Sequence, residues 1–451
     1  MKTLTINSLS HDLRGVTYAD GVVWLVEAAL PSEQVLVRER ERYSNRVEAE
    51  MVEVLQASPA RIAPPCEYAT VCGGCDIQHM DYTTQLTNKQ QVLREQLARI
   101  ENIAAVQWLP VLAAEPWAYR RRARIACRWL ADKKHLAIGF RQRHSQKIIE
   151  ITHCAVLVPA LQVLLPSLRQ CFSQWSQPRQ LGHIELLAAD NGVGMLLRVT
   201  SAITPADEAL LQVFSMKHAV TVFVQHEEKG SAQFVFGAEK VLHLQHTNTN
   251  SALTCVPGDF LQANGTVNAL LIDAVLSALQ LQKTDLVLEA FCGLGNFTLP
   301  ISKSVKQIAA LEVSESMINR AKAQAAVCDV TNVSWQAYDL SDKKHIEKIS
   351  LKANKILLDP PREGAQVFCQ QANLEGVERI VYVSCNPSTF ARDAAVLERR
   401  GFLLNEIGMV DMFPQTSHIE VLAAFSAKHS ATGKKIKADL PPKKALKKLK
   451  R

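Results

Sequence analysis

Short stretches of alternating apolar and polar residues make up the start of the chain. They occur at residues 22–26 and 34–38, for example, and Gly15, Gly21 and Pro31 interrupt this region. Alternate side chains of a strand face opposite sides of a sheet, so this pattern predicts strands that are buried on one face. We therefore expect a small all-β barrel at residues 1–56.

Helical spacing, and then an alternation of strands and helices, characterises the rest of the chain. Apolar residues between Tyr82 and Ile100 recur at roughly helical spacing, which predicts a helix there. Residues 117–255 indicate a mixed, strand-rich region with some helix. From Asp259 onward apolar strands alternate with helical stretches, which is typical of βαβ units and a doubly wound parallel sheet. The strands predicted for this sheet are 286–290, 308–312, 355–359 and 380–384.

These patterns predict an α/β protein with three domains and a tail. The barrel covers residues 1–56, a central mixed domain 57–255 and the α/β domain 256–428. Part of the stretch 89–122 is expected to pack on the α/β domain. A basic, disordered tail is predicted at 429–451.

Composition and charge indicate a folded protein whose basicity is concentrated at one end. Hydrophobic residues make up 47% and charged residues 21% of the 451 residues, and no apolar run reaches the length of a membrane helix, about 18 residues. The polar first ten residues do not resemble a secretory leader, so we expect a cytoplasmic protein without membrane association. Of the net charge of +7, residues 434–451 supply nine Lys or Arg and one acid. This tail is interpreted either as a solvated disordered arm or as a tether for phosphate groups.

Three closely spaced cysteines form the first candidate site. Cys66, Cys72 and Cys75 follow the spacing Cys-x5-Cys-x2-Cys, with two glycines that allow a tight backbone turn in the last gap. In an intracellular chain this group favours metal binding over disulfides. Cys154 is the candidate fourth ligand, and zinc and an iron–sulfur cluster both accept four thiolates. The remaining lone cysteines are interpreted as small apolar residues, namely Cys127, Cys171, Cys255, Cys328 and Cys369.

A glycine turn after the strand 286–290 predicts a cofactor site. Gly293 and Gly295 permit a tight turn and a close approach of a ligand to the backbone. Thr298 replaces the third glycine of a dinucleotide fingerprint, which weakens the case for a diphosphate cofactor. S-adenosylmethionine has no diphosphate, and Glu312, at the end of the next strand, is placed to bind a pair of ribose hydroxyls. The alternative is a glycine-rich turn of another α/β enzyme.

Two further strand ends carry reactive side chains. Asp359 precedes the rigid Pro360-Pro361 turn and Cys385 follows the strand 380–384, so both are expected at the carboxyl edge of the sheet, where ligands bind. A thiol at this edge can act as a nucleophile. Its ordinary pKa, about 8.5, leaves it mostly protonated at neutral pH, so Cys385 needs activation by its surroundings. The alternative is a packed cysteine at a strand end.

Arginines are concentrated in two β-rich stretches. Either stretch can bind the RNA backbone or be a solvated cationic face, and for the first stretch the solvated face is favoured. The first contains Arg38, Arg40, Arg42 and Arg46, with Tyr43; the second contains Arg120, Arg121, Arg122, Arg124, Arg128, Arg141 and Arg143, with Trp117, Tyr119 and Trp129 nearby.

Five motifs in chain order resemble those of the RNA uracil-C5 methyltransferases, and the resemblance covers about residues 10–425. The β-rich start looks like a TRAM domain, an OB-like RNA-binding module. Together with the cysteine cluster it is similar to the family members that act on 23S ribosomal RNA. The five motifs are Cys66-x5-Cys72-Gly-Gly-Cys75, Phe291-Cys-Gly-x-Gly-Asn296-Phe297, Asp359-Pro-Pro-Arg362, Ser384-Cys385-Asn386-Pro387 and Ser417-His418-Ile419-Glu420.

The resemblance implies a site and its cofactors. Residues 256–428 would be a Rossmann-like methyltransferase domain that transfers a methyl group from S-adenosylmethionine to C5 of a uridine. Cys385 is similar to the family's nucleophile and Glu420 to its base. A [4Fe-4S] cluster is implied on Cys66, Cys72, Cys75 and Cys154; contacts to S-adenosylmethionine are implied for Gln262, Phe291, Asn296, Glu312, Asp339 and Asp359.

Uracil chemistry explains why the family needs a thiol and a carboxylate. Carbon 5 of uracil is a poor nucleophile, and adding a thiolate to C6 makes C5 electron-rich. After methyl transfer the C5 proton must leave, and a carboxylate within reach can take it. The target base must first leave its stack, which costs least in a loop or bulge.

Glu289, Ala290, Asp339 and Arg121 depart from the family's usual residues.

Two other functions stay open. One is the same chemistry on another ribosomal uridine or on tRNA; the other is a non-catalytic iron–sulfur RNA-binding or assembly protein, which would be marked by loss of Cys385 or Glu420. We expect a monomer without an obligate protein partner. The distance along the sequence between the cysteine cluster and Cys385 favours a structural and RNA-docking role for the cluster.

Overall fold

The computed structural model describes residues 1–98, 100, 103–226, 232–246 and 251–428. The disordered tail predicted at 429–451 lies outside these residues. Within the described ranges, none of the helices combines the length and the apolar character that a membrane crossing requires.

Six strands between Lys2 and Gln56 form the first sheet and bury a core of their own. Alternate side chains of the fifth strand are buried, as the alternation in the sequence predicts. All neighbours in the sheet pair antiparallel except the fourth and sixth strands. In chain order the strands are β1 (Lys2–Thr5), β2 (Ser8–Leu9), β3 (Gly15–Ala19), β4 (Val22–Val26), β5 (Gln34–Arg42) and β6 (Arg46–Gln56), and their order in the sheet is β1-β5-β6-β4-β3-β2.

Residues 57–81, here named the cysteine loop, lead from the first sheet into helix α1 (Tyr82–Leu97). The Asp81 side chain caps this helix by accepting a hydrogen bond from the Thr84 N–H at 3.0 Å. Apolar residues of α1 pack into the core of the α/β sheet described below. A short 3-10 turn (Ile103–Ala105) and strand β7 (Gln107–Trp108) follow.

A seven-stranded sheet with three helices occupies the middle of the chain. Its order is β10-β9-β8-β11-β12-β13-β14, antiparallel except between β12 and β13. The strands are β8 (Arg122–Leu130), β9 (His135–Arg141), β10 (Ile148–Ile149), β11 (Leu181–Ala189), β12 (Gly192–Val199), β13 (Val220–Gln225) and β14 (Gln233–Phe236). The helices are α2 (Pro159–Gln162), α3 (Leu164–Phe172) and α4 (Pro205–His218), with a 3-10 turn at Pro178–Gln180; a separate antiparallel pair follows, β15 (Leu242–His246) and β16 (Ser251–Cys255).

The last sheet has eight strands in the order β19-β18-β17-β20-β21-β23-β22-β7. The five strands from β19 to β21 are parallel, β23 runs against its neighbours, and β7 completes the far edge beside β22. Its strands are β17 (Leu286–Ala290), β18 (Gln307–Glu312), β19 (Val333–Ala337), β20 (Lys355–Leu358), β21 (Arg379–Ser384), β22 (Phe402–Val410) and β23 (Glu420–Ala427). Its helices are α5 (Gly265–Leu279), α6 (Thr298–Ser302), α7 (Glu315–Val327), α8 (Lys343–Ile346), α9 (Gln366–Gln371) and α10 (Pro387–Arg399).

The observed elements agree with most of the sequence interpretation. The α/β prediction is confirmed, and the four strands predicted after Asp259 differ from the observed ones by one residue at most. One prediction is wrong: Cys328 is exposed at the end of α7 and is not a packed apolar residue. Since β7 belongs to the same sheet as β17, the eight-stranded sheet includes residues from outside 256–428. The predicted domain boundaries stay predictions.

Candidate active site

The carboxyl edge of the parallel strands gathers most of the candidate residues. Strands β18, β17, β20 and β21 are parallel neighbours, so the residues that follow them lie along one edge. Phe291, Glu312, Asp359 and Cys385 stand at these strand ends. Strand β23 runs in the opposite direction and begins at this edge with Glu420.

Cys385 and Glu420 stand on neighbouring strands at this edge. Ser384 of β21 pairs with Val421 of β23, and the next residue outward on each strand is Cys385 or Glu420. The Cys385 side chain is half-buried, whereas Glu420 is only 5% exposed. The Oε2 atom of Glu420 is buried without a hydrogen-bond partner among the described residues. A thiol therefore stands beside a carboxyl group that has an unused oxygen.

Burial and mutual repulsion hold protons on this group of acids. Burial, together with Asp359 and Asp411, raises the pKa of Glu420 to about 8. Burial raises the pKa of Asp359 to about 7. The pKa of the Cys385 thiol is also raised, by burial first and then by the two carboxylates Glu420 and Asp359. The acids of this edge are thus coupled, and their protons are released near or above neutral pH.

Arg362 is the cation that partly opposes the rise in the pKa of Cys385. Its guanidinium lowers the pKa of Cys385 and contacts the His418 ring at Nδ1 over 3.3 Å. The N-terminus of α10 fixes the backbone at this point, because the Asn386 side chain and the Thr389 hydroxyl donate to the Arg362 carbonyl at 3.0 and 3.1 Å. In the sequence Arg362 ends the Asp-Pro-Pro-Arg motif, and the motif alone indicates no role for it. Its position beside a thiol and a histidine is set by tertiary structure.

The glycine turn after β17 adopts backbone conformations that its residues require. Gly293 and Gly295 have φ of +57° and +93°, in the left-handed region that favours glycine. Phe291 has φ +66°, a strained value for a residue with a side chain. The Glu312 carboxylate accepts hydrogen bonds from the N–H groups of Gly293 at 3.2 Å and Ser314 at 3.0 Å. This joins the ends of β17 and β18 into one cradle.

Three other residues proposed for the cofactor differ in the hydrogen bonds that already engage them. Asn296 exchanges two hydrogen bonds of 3.0 Å with Asn268 of α5, so both ends of its amide are engaged. Asp339 follows β19 and accepts from the Ser341 N–H and hydroxyl, and these hydrogen bonds lower its pKa. The Gln262 carbonyl accepts from the Arg121 side chain at 3.0 Å.

Glu289, inside β17, was flagged in the sequence only as a departure from the family pattern. It is 1% exposed, and neither carboxylate oxygen has a hydrogen-bond partner among the described residues. Burial raises its pKa to about 8. A buried acid without partners is stable only as the neutral carboxyl, so Glu289 is protonated at neutral pH.

The four candidate metal ligands line one cavity of about 990 Å³. This cavity lies beside the cysteine loop and the seven-stranded sheet, whereas Cys385 is not among its lining residues. Burial raises the pKa of Cys75 to about 12, and repulsion from the thiolates of Cys154, Cys72 and Cys66 contributes. Burial also raises the pKa of Cys72 and Cys154, and repulsion from neighbouring cysteines contributes. The structure therefore brings together four cysteines that are separated in sequence.

In the described part of the chain no three His, Cys, Asp or Glu side chains are arranged closely enough to hold one metal ion. The four cysteine thiols of the cavity are therefore a candidate donor set without a defined single-ion geometry.

The two arginine stretches differ in their partners. In the first sheet each of the four arginines is paired with a glutamate: Arg38 with Glu50, Arg40 with Glu27 and Glu48, Arg42 with Glu39, and Arg46 with Glu48. Of the seven arginines of the second stretch, Arg122 pairs with Glu185 at 3.0 Å, and the other six have no carboxylate within 4 Å in the described ranges. These six are Arg120, Arg121, Arg124, Arg128, Arg141 and Arg143. The solvated interpretation suits the first stretch, and an anion-binding interpretation suits the second.

Comparisons with known proteins give the family. A family model described as tRNA (uracil-5-)-methyltransferase matches residues 81–427. The chain belongs to this family. This match confirms the resemblance to the RNA uracil-C5 methyltransferases that the five motifs indicate.

Two relatives and one solved structure illustrate the similarity. An enzyme of Histophilus somni named 23S rRNA (uracil(1939)-C(5))-methyltransferase RlmD is 40% identical over 430 residues, which cover 94% of this chain and 95% of that one. A Pseudomonas savastanoi protein of the same name is 40% identical over 423 residues, covering 94% and 93%. The crystal structure of the Pyrococcus abyssi tRNA (uracil-54, C5)-methyltransferase with S-adenosyl-L-homocysteine superposes with a TM-score of 0.73 at 22% identity, covering 94% of this chain and 100% of that one. The last likeness shows a shared fold.

Proposed function

We propose that this uracil-C5 methyltransferase converts one uridine of 23S ribosomal RNA to 5-methyluridine, at the position that corresponds to 1939 in the names of its relatives. The observation that carries the proposal is the pairing of β21 with β23, which sets the Cys385 thiol beside the unpaired carboxyl of Glu420. Uracil methylation needs a nucleophile and a base at one place.

Each chemical step has a residue to perform it. The Cys385 thiolate adds to C6 of the uracil, and the electron pair of the C5=C6 bond moves into an enolate. C5 then takes the methyl group from the sulfonium of S-adenosylmethionine, which leaves as S-adenosylhomocysteine. In its carboxylate form Glu420 removes the C5 proton, the C5=C6 bond re-forms, and the bond between C6 and Cys385 breaks so that the thiolate leaves. Because the pKa of Glu420 is raised to about 8, the fraction of enzyme able to perform this step increases as the pH rises toward that value. Arg362 favours the thiolate form that starts the sequence.

The cradle between β17 and β18 suits S-adenosylmethionine. Glu312 is held at the turn by Gly293 and Ser314 and would take the ribose hydroxyls. Gly293 and Gly295 adopt positive φ without strain and so allow the tight turn that leads from β17 to the cradle. Gln262, Phe291, Asn296, Asp339 and Asp359 would complete the site, and Asn296 would exchange its hydrogen bonds to Asn268 for bonds to the ligand.

The cysteine-lined cavity suits a [4Fe-4S] cluster held by Cys66, Cys72, Cys75 and Cys154. Support comes from the cavity that the four thiols share and from the ability of such a cluster to take four cysteine ligands. Metal analysis tests this proposal: we expect about four irons per chain in anaerobically purified protein. Cys75→Ser should lose the iron, whereas Cys127→Ser, at a cysteine outside the cavity, should keep it. One zinc per chain would refute the cluster.

The unpaired arginines of the central region would bind the RNA backbone, and the first sheet would serve as the TRAM domain. Arg120, Arg124, Arg141 and Arg143 line the same cavity as the cysteines, so RNA bound there would lie next to the cluster. In the first sheet the arginines are neutralised, so we expect its contribution to come from shape and stacking more than from charge.

Methylation of RNA fragments tests the proposed function. Wild-type protein should methylate the uridine that corresponds to 1939, and Cys385→Ala should abolish the product, whereas Cys328→Ala, at an exposed cysteine far from the edge, should keep it. A 5-fluorouridine fragment should form a stable adduct that mass spectrometry locates at Cys385. Full activity of Cys385→Ala, or an adduct at another residue, would contradict the mechanism.

A tRNA substrate is the second candidate, because the matched family model and the Pyrococcus abyssi structure both carry tRNA in their descriptions. Mapping 5-methyluridine in all RNA from cells that lack the gene separates the two. Loss of the modification from tRNA with intact 23S RNA would favour this candidate.

A further inference from the structure

The loop between β22 and β23, residues 411–419, leads directly into Glu420 and is held from outside the catalytic sheet. The Lys89 ammonium of α1 donates to the Asp411 carboxylate at 2.6 Å and to the Phe413 carbonyl at 3.1 Å. The Tyr119 hydroxyl donates to the Pro414 carbonyl at 3.0 Å. A large separation along the sequence therefore does not mean that the cysteine loop and the catalytic edge are unconnected in space.

Gln85 of α1 stands at the centre of these contacts and is 1% exposed. Its Nε2 donates to the Met80 carbonyl at 2.8 Å and the Ile77 carbonyl at 3.2 Å, both in the cysteine loop. The same amide donates to Oε1 of Gln415 at 2.9 Å, and its Oε1 accepts from the Gln415 N–H at 3.2 Å. One side chain thus joins α1, the cysteine loop and the β22–β23 loop.

The hydrogen bonds that hold the β22–β23 loop to Gln85 and the cysteine loop are here named the clamp. They converge on Gln415. Its φ of +67° lies in the left-handed region, which costs a residue with a side chain on the order of 1–3 kcal/mol unless its surroundings impose it. The Gln415 carbonyl accepts from the Asp76 N–H at 2.9 Å and the Ile77 N–H at 3.2 Å. Its N–H and side chain are taken by Gln85. The cysteine loop and Gln85 together impose this conformation.

The clamp continues toward the base. The Asp76 carboxylate accepts from the Ser417 N–H at 3.2 Å and from the Ser417 hydroxyl at 3.3 Å. The His418 N–H donates to the Thr416 hydroxyl at 3.3 Å. Glu420 begins its strand two residues after His418, so a change in the turn at Gln415 is passed along a short, hydrogen-bonded segment.

We propose that Gln85 is a positioning residue for Glu420. It fixes the β22–β23 loop against the cysteine loop, so that the Glu420 carboxyl reaches the C5 proton of the covalent adduct. This inference rests on the proposed function and assigns the clamp to one step, the removal of the C5 proton. Addition of Cys385 to C6 and methyl transfer precede that step and do not need Glu420 as a base.

Fluorine at C5 separates the steps. With uridine, a misplaced Glu420 leaves the methylated adduct in place, because the C5 proton is not removed and the bond between C6 and Cys385 does not break. With 5-fluorouridine no proton is present at C5, so the adduct forms and persists whatever the position of Glu420. A defect in RNA binding or in folding slows both reactions.

Gln85→Met tests the inference, because methionine keeps the length and apolar volume of the side chain and removes its hydrogen bonds. In single turnover we expect uridine product formation to fall on the order of tenfold to a hundredfold. Covalent protein–RNA adduct should accumulate, as in Glu420→Gln, while adduct formation with 5-fluorouridine stays within about twofold of the wild-type rate. Gln91→Met is the matched control, since Gln91 is exposed on the same helix and contacts Glu95; it should behave as wild type.

A second variant keeps the inference testable if Gln85→Met does not fold. Gln415→Gly adopts the left-handed φ without strain and keeps the backbone hydrogen bonds, but lacks the side-chain bond to Gln85. We expect a smaller loss at the same step, again with accumulated adduct. A normal rate of product formation in the folded variant or variants, or equal losses with uridine and 5-fluorouridine, would overturn the inference. If wild-type protein forms neither product nor adduct, the proposed function itself fails.

Discussion

At the scale of single residues, one cation and several buried acids determine how the site responds to pH. Arg362 favours the Cys385 thiolate, whereas burial and the acids Glu420 and Asp359 disfavour it. The active thiolate is the deprotonated form, so the rate of adduct formation should rise with pH until the thiol has ionised.

Replacing Arg362 should move this rise to higher pH. Arg362→Gln removes the favourable charge and lowers the rate at pH 7 by about tenfold for each unit of pKa increase. Arg362→Lys keeps a charge and should lie between this variant and the wild type. The measurement is the rate of 5-fluorouridine adduct formation at saturating RNA across a pH series; an unchanged profile in Arg362→Gln would contradict the role.

Glu289 should make folding stability depend on pH. Its pKa in the folded chain, about 8, lies above its ordinary value of 4.5, so its contribution is fully present below pH 4.5 and is lost as the pH rises toward 8. The loss is about 1.4 kcal/mol for each pH unit between these values. The difference in free energy of unfolding between wild type and Glu289→Gln, from urea titrations at several pH values, should therefore shift in favour of the variant as pH rises. A constant difference would show that Glu289 is not buried as a neutral acid.

At the scale of elements, helix α1 is part of the catalytic unit. Its Lys89 ammonium and the Asp411 carboxylate are 2.6 Å apart and almost fully buried, and the Tyr82 hydroxyl donates to the same carboxylate at 2.9 Å. The matched family model begins at residue 81, one residue before this helix. Helix and sheet therefore belong together in the family.

Replacing one member of this buried ion pair should lower the free energy of unfolding more than replacing both members. Lys89→Met leaves the Asp411 charge without its cation, and we expect a loss of roughly 3–5 kcal/mol in the free energy of unfolding. The double variant Lys89→Met with Asp411→Leu removes both charges and should recover much of that loss. Urea unfolding of the single and double variants measures the difference; additive losses would show that the pair is not coupled.

The sequence predicted the helices and strands better than the tertiary contacts between them. Strand ends follow from local patterns, so the edge with Phe291, Asp359 and Cys385 was foreseeable. Contacts such as Gln85 with Gln415 join positions 330 residues apart, and no local pattern carries them. The partners of Arg362 and the unpaired oxygens of Glu289 likewise depend on packing, which sequence periodicity does not describe.

At the scale of the whole molecule, the two arginine stretches differ in whether carboxylates neutralise them. The arginines of the first sheet are matched by glutamates, whereas in the second arginine stretch only Arg122 pairs with a carboxylate among the described residues. Composition alone gives only the net charge of +7, and the distribution appears once the acids are placed in space.

The salt dependence of RNA binding should reveal this difference between the two arginine stretches. Arg128→Gln, at an exposed arginine without an acid partner, should lower the slope of log K against log salt by about 0.7 to 0.9 for a lost phosphate contact. Arg38→Gln is the matched control, because Arg38 already pairs with Glu50 at 2.8 Å, and its slope should stay near that of wild type. Equal slopes for Arg128→Gln and wild type would place the RNA elsewhere.

The short strand β7 has a consequence for how the protein is made. It covers the outer edge of β22 and comes from the first third of the chain, whereas β22 and β23 come from the end. During synthesis the earlier sheets can close on their own residues, but the catalytic sheet must wait for its last two strands before β7 and α1 find their places. Until then the ribosome carries a nascent chain with unsatisfied strand edges, so this enzyme is expected to engage chaperones late in translation.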